Sequence, residues 1–264
     1  MVEPSFDGKK ARREISGGAC GPGGCWVVND ETGRAQAFRV EGERLVPGPR
    51  LRLVPKGSDE LDAEAAEPLG GWIYVAASHG LSRRKARLRP SQFQVIRFDG
   101  KGRVEASGRL RAAIRSAPVL GRFAERPLGA NGANVEGLGA QGTRLLFGFR
   151  GPNVAGDAFV LEVAAEALFG AGALRAVTHR VPLGGGQGIR GMASDGLGGQ
   201  WLLAGPVNDE GSWGLVRWRP GCGIVERRPL PRRPGKAEAL VRLPDGGLVV
   251  LSDGPPDGAP YRLP

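Results

Sequence analysis

The 264-residue chain reads as an all-β protein, a β-propeller whose spacing favours five blades, and three observations predict this. First, a two-part pattern recurs along the whole length: a short apolar segment centred on one polar residue, a glycine-rich turn, then an apolar run ending in polar or turn residues. Second, the apolar runs begin at positions 25, 72, 145, 201 and 248, at intervals of 47, 73, 56 and 47 residues. A period of roughly 40–50 residues built from short strands marks four-stranded blades. Third, the runs are too short for helices and lack the 3.6-residue period of helical repeats. Six blades is the alternative count.

The five units are Ile15-Ser16-Gly17 with the run from Cys25, Ala63-Glu64-Ala65 with Trp72-Ile73-Tyr74-Val75, Val135-Glu136-Gly137 with Leu145-Leu146-Phe147, Ile189-Arg190-Gly191 with Trp201-Leu202-Leu203, and Ala237-Glu238-Ala239 with the run from Leu248. A further strand follows each hairpin, at Ala37 to Val40, Phe93 to Phe98, Phe159 to Val163, Gly214 to Trp218 and Tyr261 to Leu263. Asp99-Gly100, Asp195-Gly196 and Asp245-Gly246 punctuate the strands, because glycine accepts the positive φ of tight hairpins. Trp26, Trp72 and Trp201 fall at comparable second-strand positions and are expected to pack between blades.

The 73-residue interval has a separate cause. Leu110, Ala113, Ile114 and Ala117 are spaced i, i+3, i+4, i+7, so Ser107 to Ala117 reads as a helix with Ser107 as its cap and Pro118 beyond its end. Residues 107–128 are therefore an insertion between blades of one domain spanning 1–264. The last unit is one strand short. The stretch around Arg12 to Ile15 is the candidate to complete its sheet, which would remove an exposed edge.

A hydrophobic content of 41% with 45 Gly and 21 Pro suits a turn-rich β domain. No apolar stretch near the start is long enough for a signal peptide and none approaches a membrane span, so a cytoplasmic location without membrane contact is the expectation. Cys20 and Cys25 flank a four-residue turn, where a cross-strand disulfide is geometrically conceivable, but three cysteines without an export signal favour idle thiols. The net charge of +10 and the arginine-rich runs Arg83 to Arg89 and Arg227 to Arg233 invite a nucleic-acid reading. Against it, arginine dominates over lysine amid abundant Gly, Ala and Pro, as GC-rich coding produces. With 6% aromatic residues there are few stacking platforms. No specific nucleic-acid partner is expected, only salt-sensitive adhesion.

In a propeller the innermost strands face the central channel, so equivalent repeat positions form one ring. That ring is Ser16, Glu64, Glu136, Arg190 and Glu238, with Glu14, Asp62, Asn134, Gly188 and Lys236 two residues earlier on the same strand faces. Converging carboxylates repel one another unless something neutralises them. A divalent cation such as Ca²⁺ would take the oxygens of Asp62, Glu64, Asn134 and Glu136. Alternatively Arg190 and Arg150 form internal ion pairs with the glutamates, or hold an anionic ligand group while the glutamates bind hydroxyls or amines. His79, after Ser78 at the predicted rim, is a candidate general base, with a turn histidine bonded to nearby backbone as the plainer reading. No nucleophile elbow, P-loop or dinucleotide fingerprint is present in the required context.

Asp62-Ala63-Glu64 with Ala77-Ser78-His79, Asn131 to Leu138, Gly148-Phe149-Arg150-Gly151-Pro152, Gly188-Ile189-Arg190-Gly191 with Leu203 to Pro206, and Leu251-Ser252-Asp253 occur in an order that resembles the bacterial family called domain of unknown function 3616. The resemblance runs from about Gly17 to Asp253 and implies a β-propeller-like fold without an assigned activity. Ala63-Glu64-Ala65 departs from the usual Ile-Glu-Gly of that family. The leading expectation is a protein that binds a small polar molecule or cation at the channel mouth through Glu64, Glu136, Arg150, Arg190 and Glu238. Two alternatives are a metal-dependent hydrolase, resembling propeller lactonases or phosphoesterases, and an interaction scaffold presenting Trp213, Trp218 and the arginine-rich loops to a protein partner.

Overall fold

The computed structural model describes residues 14–21, 23–41, 44–58, 60–81, 89–231 and 235–264. They form five antiparallel sheets in chain order. The first is β1 (Ile15–Gly21), β2 (Gly24–Asn29), β3 (Arg34–Glu41) and β4 (Arg44–Arg52). The second is β5 (Ala63–Leu69), β6 (Trp72–Ala77), β7 (Val95–Phe98) and β8 (Val104–Ser107). The third comprises β9 (Asn134–Gln141), β10 (Arg144–Gly151), β11 (Ala158–Ala164) and β12 (Ala176–Val181), and the fourth β13 (Gln187–Ser194), β14 (Gln200–Pro206), β15 (Gly214–Arg219) and β16 (Gly223–Pro229). The fifth has three strands among the described residues, β17 (Lys236–Arg242), β18 (Leu248–Asp253) and β19 (Tyr261–Arg262).

The first strand of each sheet packs against the first strand of the next, and β17 returns to β1, so the ring closes as a five-bladed propeller. Its core is divided into five layers, one between each pair of adjacent blades. Because a blade is covered on both faces, its second strand buries consecutive residues, as in Ile73-Tyr74-Val75-Ala76 and Leu145-Leu146-Phe147. This double coverage is why the sequence shows apolar runs there instead of alternation. Trp26 is nearly fully buried and meets Phe98 of the next blade edge-on, with ring centroids 5.3 Å apart.

Three sequence expectations need correction. The helix between β8 and β9 is shorter than the 107–117 reading: α1 spans Leu110–Ser116. Ser107 ends β8 instead of capping the helix, since its hydroxyl donates to the Leu168 carbonyl and accepts from the Arg109 amide. Second, Cys20 and Cys25 face each other across the β1–β2 hairpin with Cα atoms 3.9 Å apart and form a disulfide, while Cys222 is free and exposed. Strand register brings them together where composition alone favoured thiols. Third, Trp72 is not equivalent to the other two tryptophans. Trp26 and Trp201 pair with Ala19 and Ala193, whereas Trp72 pairs with Leu69 at the hairpin end, and Tyr74 holds the matching place. Ile15 belongs to β1 of the first blade, and Arg12, Arg13, residues 83–88 and residues 232–233 lie outside the described residues. Among the described residues no helix is long and apolar enough to cross a membrane.

Candidate functional site

Each innermost strand carries a β-bulge at the same place. Pairing with the second strand skips from Ile15 to Gly17, Ala63 to Ala65, Val135 to Gly137, Ile189 to Gly191 and Ala237 to Ala239. The skipped residues are Ser16, Glu64, Glu136, Arg190 and Glu238, the ring position of the sequence pattern. A bulge inserts one residue without a ladder partner and re-aims its side chain. The polar residue inside each short apolar segment is therefore the bulged one. Glu64, Glu136 and Glu238 line a cavity of about 290 Å³ at one mouth of the channel, with Asp30, Asp62, Ser78, Asn134, Arg150, Lys236 and Asp253. Ser16 is excluded from it, since its hydroxyl is bonded to the Ala63 carbonyl.

One half of this mouth is neutralised internally. Arg190, with no exposed surface, contacts Glu136 at 2.7 Å, Glu238, and Asp209 at 3.1 Å, and also donates to the Pro206 carbonyl. Arg150 donates to Glu136 at 2.9 Å, Asp209 at 2.6 Å and the Val207 carbonyl at 2.9 Å. Lys236 reaches the other oxygen of Asp209 at 3.2 Å. Burial acts to lower the Arg190 pKa and is outweighed by the Glu136, Glu238 and Asp209 carboxylates, which hold it above the ordinary guanidinium value. Two glycines make room for this arrangement. A Cβ on Gly188 would come within 1.9 Å of the Arg150 carbonyl oxygen, and one on Gly205 within 2.6 Å of the Trp213 ring that lies over Arg190.

The other half has no such neutralisation. Neither the Glu64 nor the Asp30 carboxylate has a hydrogen bond or counter-cation among the described residues, and Asp30 Oδ1 is a buried acceptor without a donor. Burial pushes the Asp30 carboxyl up to about 8, with the charges of Glu14, Asp62 and Glu31 acting in the same direction. Burial, then Asp62 and Glu136, push Glu64 well above the usual carboxylate range. Asp62 is likewise raised by burial, against which the Ser78 hydroxyl donates a hydrogen bond. Asn134 is nine-tenths buried and its Oδ1 also lacks a donor.

The structure thus brings Asp62, Glu64, Asn134, Glu136, Arg150 and Glu238 to one cavity, while Arg190 lies behind the wall as their counter-charge. Among the described residues no three Asp, Glu, His or Cys side chains are grouped to hold a metal ion. His79 is displaced from its expected role. It is fully buried beside Phe93, outside the residues that line the cavity, and its ring nitrogens make no hydrogen bond of normal geometry. Burial pushes it down to about 3, the Arg111 charge acting likewise and the Gln94 backbone opposing. Sequence reasoning missed Asp209, whose loop lies outside every repeat position.

Solved propellers are similar in fold over nearly the whole chain. A glutaminyl cyclase from Myxococcus xanthus matches with a TM-score of 0.55 at 13% identity, covering 95% of this chain and 90% of that one. A gluconolactonase from Xanthomonas campestris matches with a TM-score of 0.47 at 13% identity (99% and 94% covered), and the calcium-binding protein regucalcin from Agrobacterium tumefaciens with 0.45 at 13% (95% and 85%). At 13% identity the likeness to the glutaminyl cyclase extends to the fold alone. No curated protein matches in sequence. A family model matches residues 101–248, more than half of the chain and the part that holds the Asn134 to Leu138 and Gly148 to Pro152 motifs, and the chain belongs to that family, described as protein of unknown function (DUF3616).

Proposed function

We propose that the chain binds a small polar ligand or a divalent cation at the acidic half of its channel mouth. The supporting observation is the pair Glu64 and Asp30, two carboxylates at a cavity of about 290 Å³ that no cation among the described residues neutralises. Burying carboxylates without partners costs several kcal/mol, and proteins retain such an arrangement where a ligand or a proton completes it. The arginines are already engaged by Glu136, Asp209 and Glu238, so the ligand is one that donates hydrogen bonds or brings positive charge. A hydrolase in which His79 moves the proton has less support, because a fully buried imidazole held near pKa 3 is a poor base at neutral pH.

A ligand that binds the folded state raises its melting temperature with concentration, following RT ln(1 + [L]/Kd). A thermal-shift screen of divalent cations, amines and sugars is expected to give such a rise for the wild type. Absence of any concentration-dependent shift across that screen would overturn the proposal.

A further inference from the structure

The acceptors at this mouth are arranged for an organic molecule. They come from four blades: Asp30 at the end of β2, Asp62 and Glu64 at the start of β5, Asn134 at the start of β9, and Asp253 at the end of β18. A hard cation draws six to eight oxygens to roughly 2.3–2.6 Å. Here no three acidic, His or Cys side chains among the described residues are grouped for that. The cavity of about 290 Å³ is instead near the lower end of small-molecule sites, roughly 300–1,000 Å³.

Two further features narrow the chemistry. Asn134 Oδ1 is a neutral acceptor, buried without a donor in a side chain nine-tenths buried at the cavity wall, so the missing group carries an N–H or O–H as well as charge. No aromatic ring is among the described lining residues, whereas quaternary ammonium ions are recognised by aromatic cages. A primary ammonium donates three hydrogen bonds and answers both carboxylates and the amide oxygen. We infer that the ligand is an amine with primary ammonium groups, of the diamine or polyamine class. This rests on the reading of the mouth as a binding site proposed above. Because the chain carries a net charge of +10, its long-range field opposes polycations, and a tight amine complex would report the local acidic wall.

Calorimetric titration of the full chain at pH 8 and 150 mM salt, with putrescine, spermidine, choline and calcium chloride as four separate probes, tests this. Putrescine or spermidine is expected to bind at least tenfold more tightly than choline and than calcium. Asn134→Ala and Glu64→Gln, each checked for its fold by circular dichroism, are expected to weaken that binding tenfold or more. Calcium binding without diamine binding, or choline equal to putrescine, overturns the inference and leaves the mouth as a cation site. Silence from all four probes overturns the inference, and the wider screen of cations, amines and sugars then decides the binding reading on which it rests. Diamine binding that survives both substitutions lies elsewhere and also overturns the inference.

Discussion

The two halves of the channel mouth are built from the same repeat position and carry opposite solutions to the same electrostatic problem. In blades three to five, Glu136, Asp209 and Glu238 are matched by Arg150, Arg190 and Lys236 in one continuous network. In blades one and two, Asp30 and Glu64 face the cavity without a cation among the described residues, and burial pushes their pKa values up. A repeat fold offers five equivalent bulges, and one arginine among them suffices to neutralise its neighbours. The half beyond its reach is left with chemistry to spend on a ligand. Under the proposed function the first half serves stability and the second binding, and each role can be broken separately.

The largest effect is expected in the neutralised half. Arg190→Leu leaves Glu136 and Glu238 buried with less counter-charge, and breaking a buried pair by removing one partner costs about 3–5 kcal/mol. Urea denaturation is expected to show that loss, and Glu136→Gln a smaller one, since the amide oxygen can still accept from one of the two arginines while Asp209 and Glu238 keep their contacts. Loss of under ~1 kcal/mol in Arg190→Leu would show that the network is not structural, and the comparison would fail on this side.

How much of this was legible in the sequence follows from what periodicity can carry. The five hairpins and the ring of Ser16, Glu64, Glu136, Arg190 and Glu238 were readable because each blade repeats the same bulge, with one polar residue set in an apolar segment. The convergence of Asp62 and Asn134 followed from the two-residue period of strands. Asp209 was not readable, because it sits on a connecting loop, at φ 68°, with no counterpart in other blades. His79 was legible only in part for a related reason: its turn position was, the burial of its ring was not. Sequence places it one residue beyond a cavity-lining serine, but its own φ of 50° turns the chain there, and the imidazole packs beside Phe93. The disulfide depended on register, since Cys20 and Cys25 are opposed only if the hairpin closes at Gly21 and Gly24.

Acidity sharpens the comparison at intermediate magnitude. Asp30 has an ordinary carboxylate pKa near 3.8 when unfolded and one raised to about 8 in the folded chain, so the folded state holds the extra proton between those values. Its contribution to stability is fully present below about pH 3.8 and is lost as pH rises towards 8, with Glu64 acting in the same direction. Ligand cations compete with those protons, so their affinity is expected to rise over the same window. Urea midpoints between pH 5 and 9 are expected to fall with pH in the wild type and to fall less steeply in Asp30→Asn. Identical slopes would mean that Asp30 titrates normally and that the acidic half is not strained by its own charge.

The smallest effect on stability, and the most telling, is expected at Glu64. It occupies the bulge equivalent to Glu136, yet no guanidinium among the described residues reaches it, so Glu64→Gln removes a like charge from beside Asp62 without orphaning any of these cations. Near pH 8 this substitution should leave stability unchanged or raise it by up to ~1 kcal/mol, because relieving desolvated repulsion offsets the loss of any local contact. The same change should weaken cation or amine binding, since one of the two unpartnered carboxylates is gone. A destabilisation approaching that of Glu136→Gln would place Glu64 in the structural network despite its lack of a visible partner. Unchanged binding with unchanged stability would instead remove Glu64 from the site, and leave other unpartnered acceptors of the cavity, such as those of Asp30, Gln92 and Asn134, for a ligand to depend on.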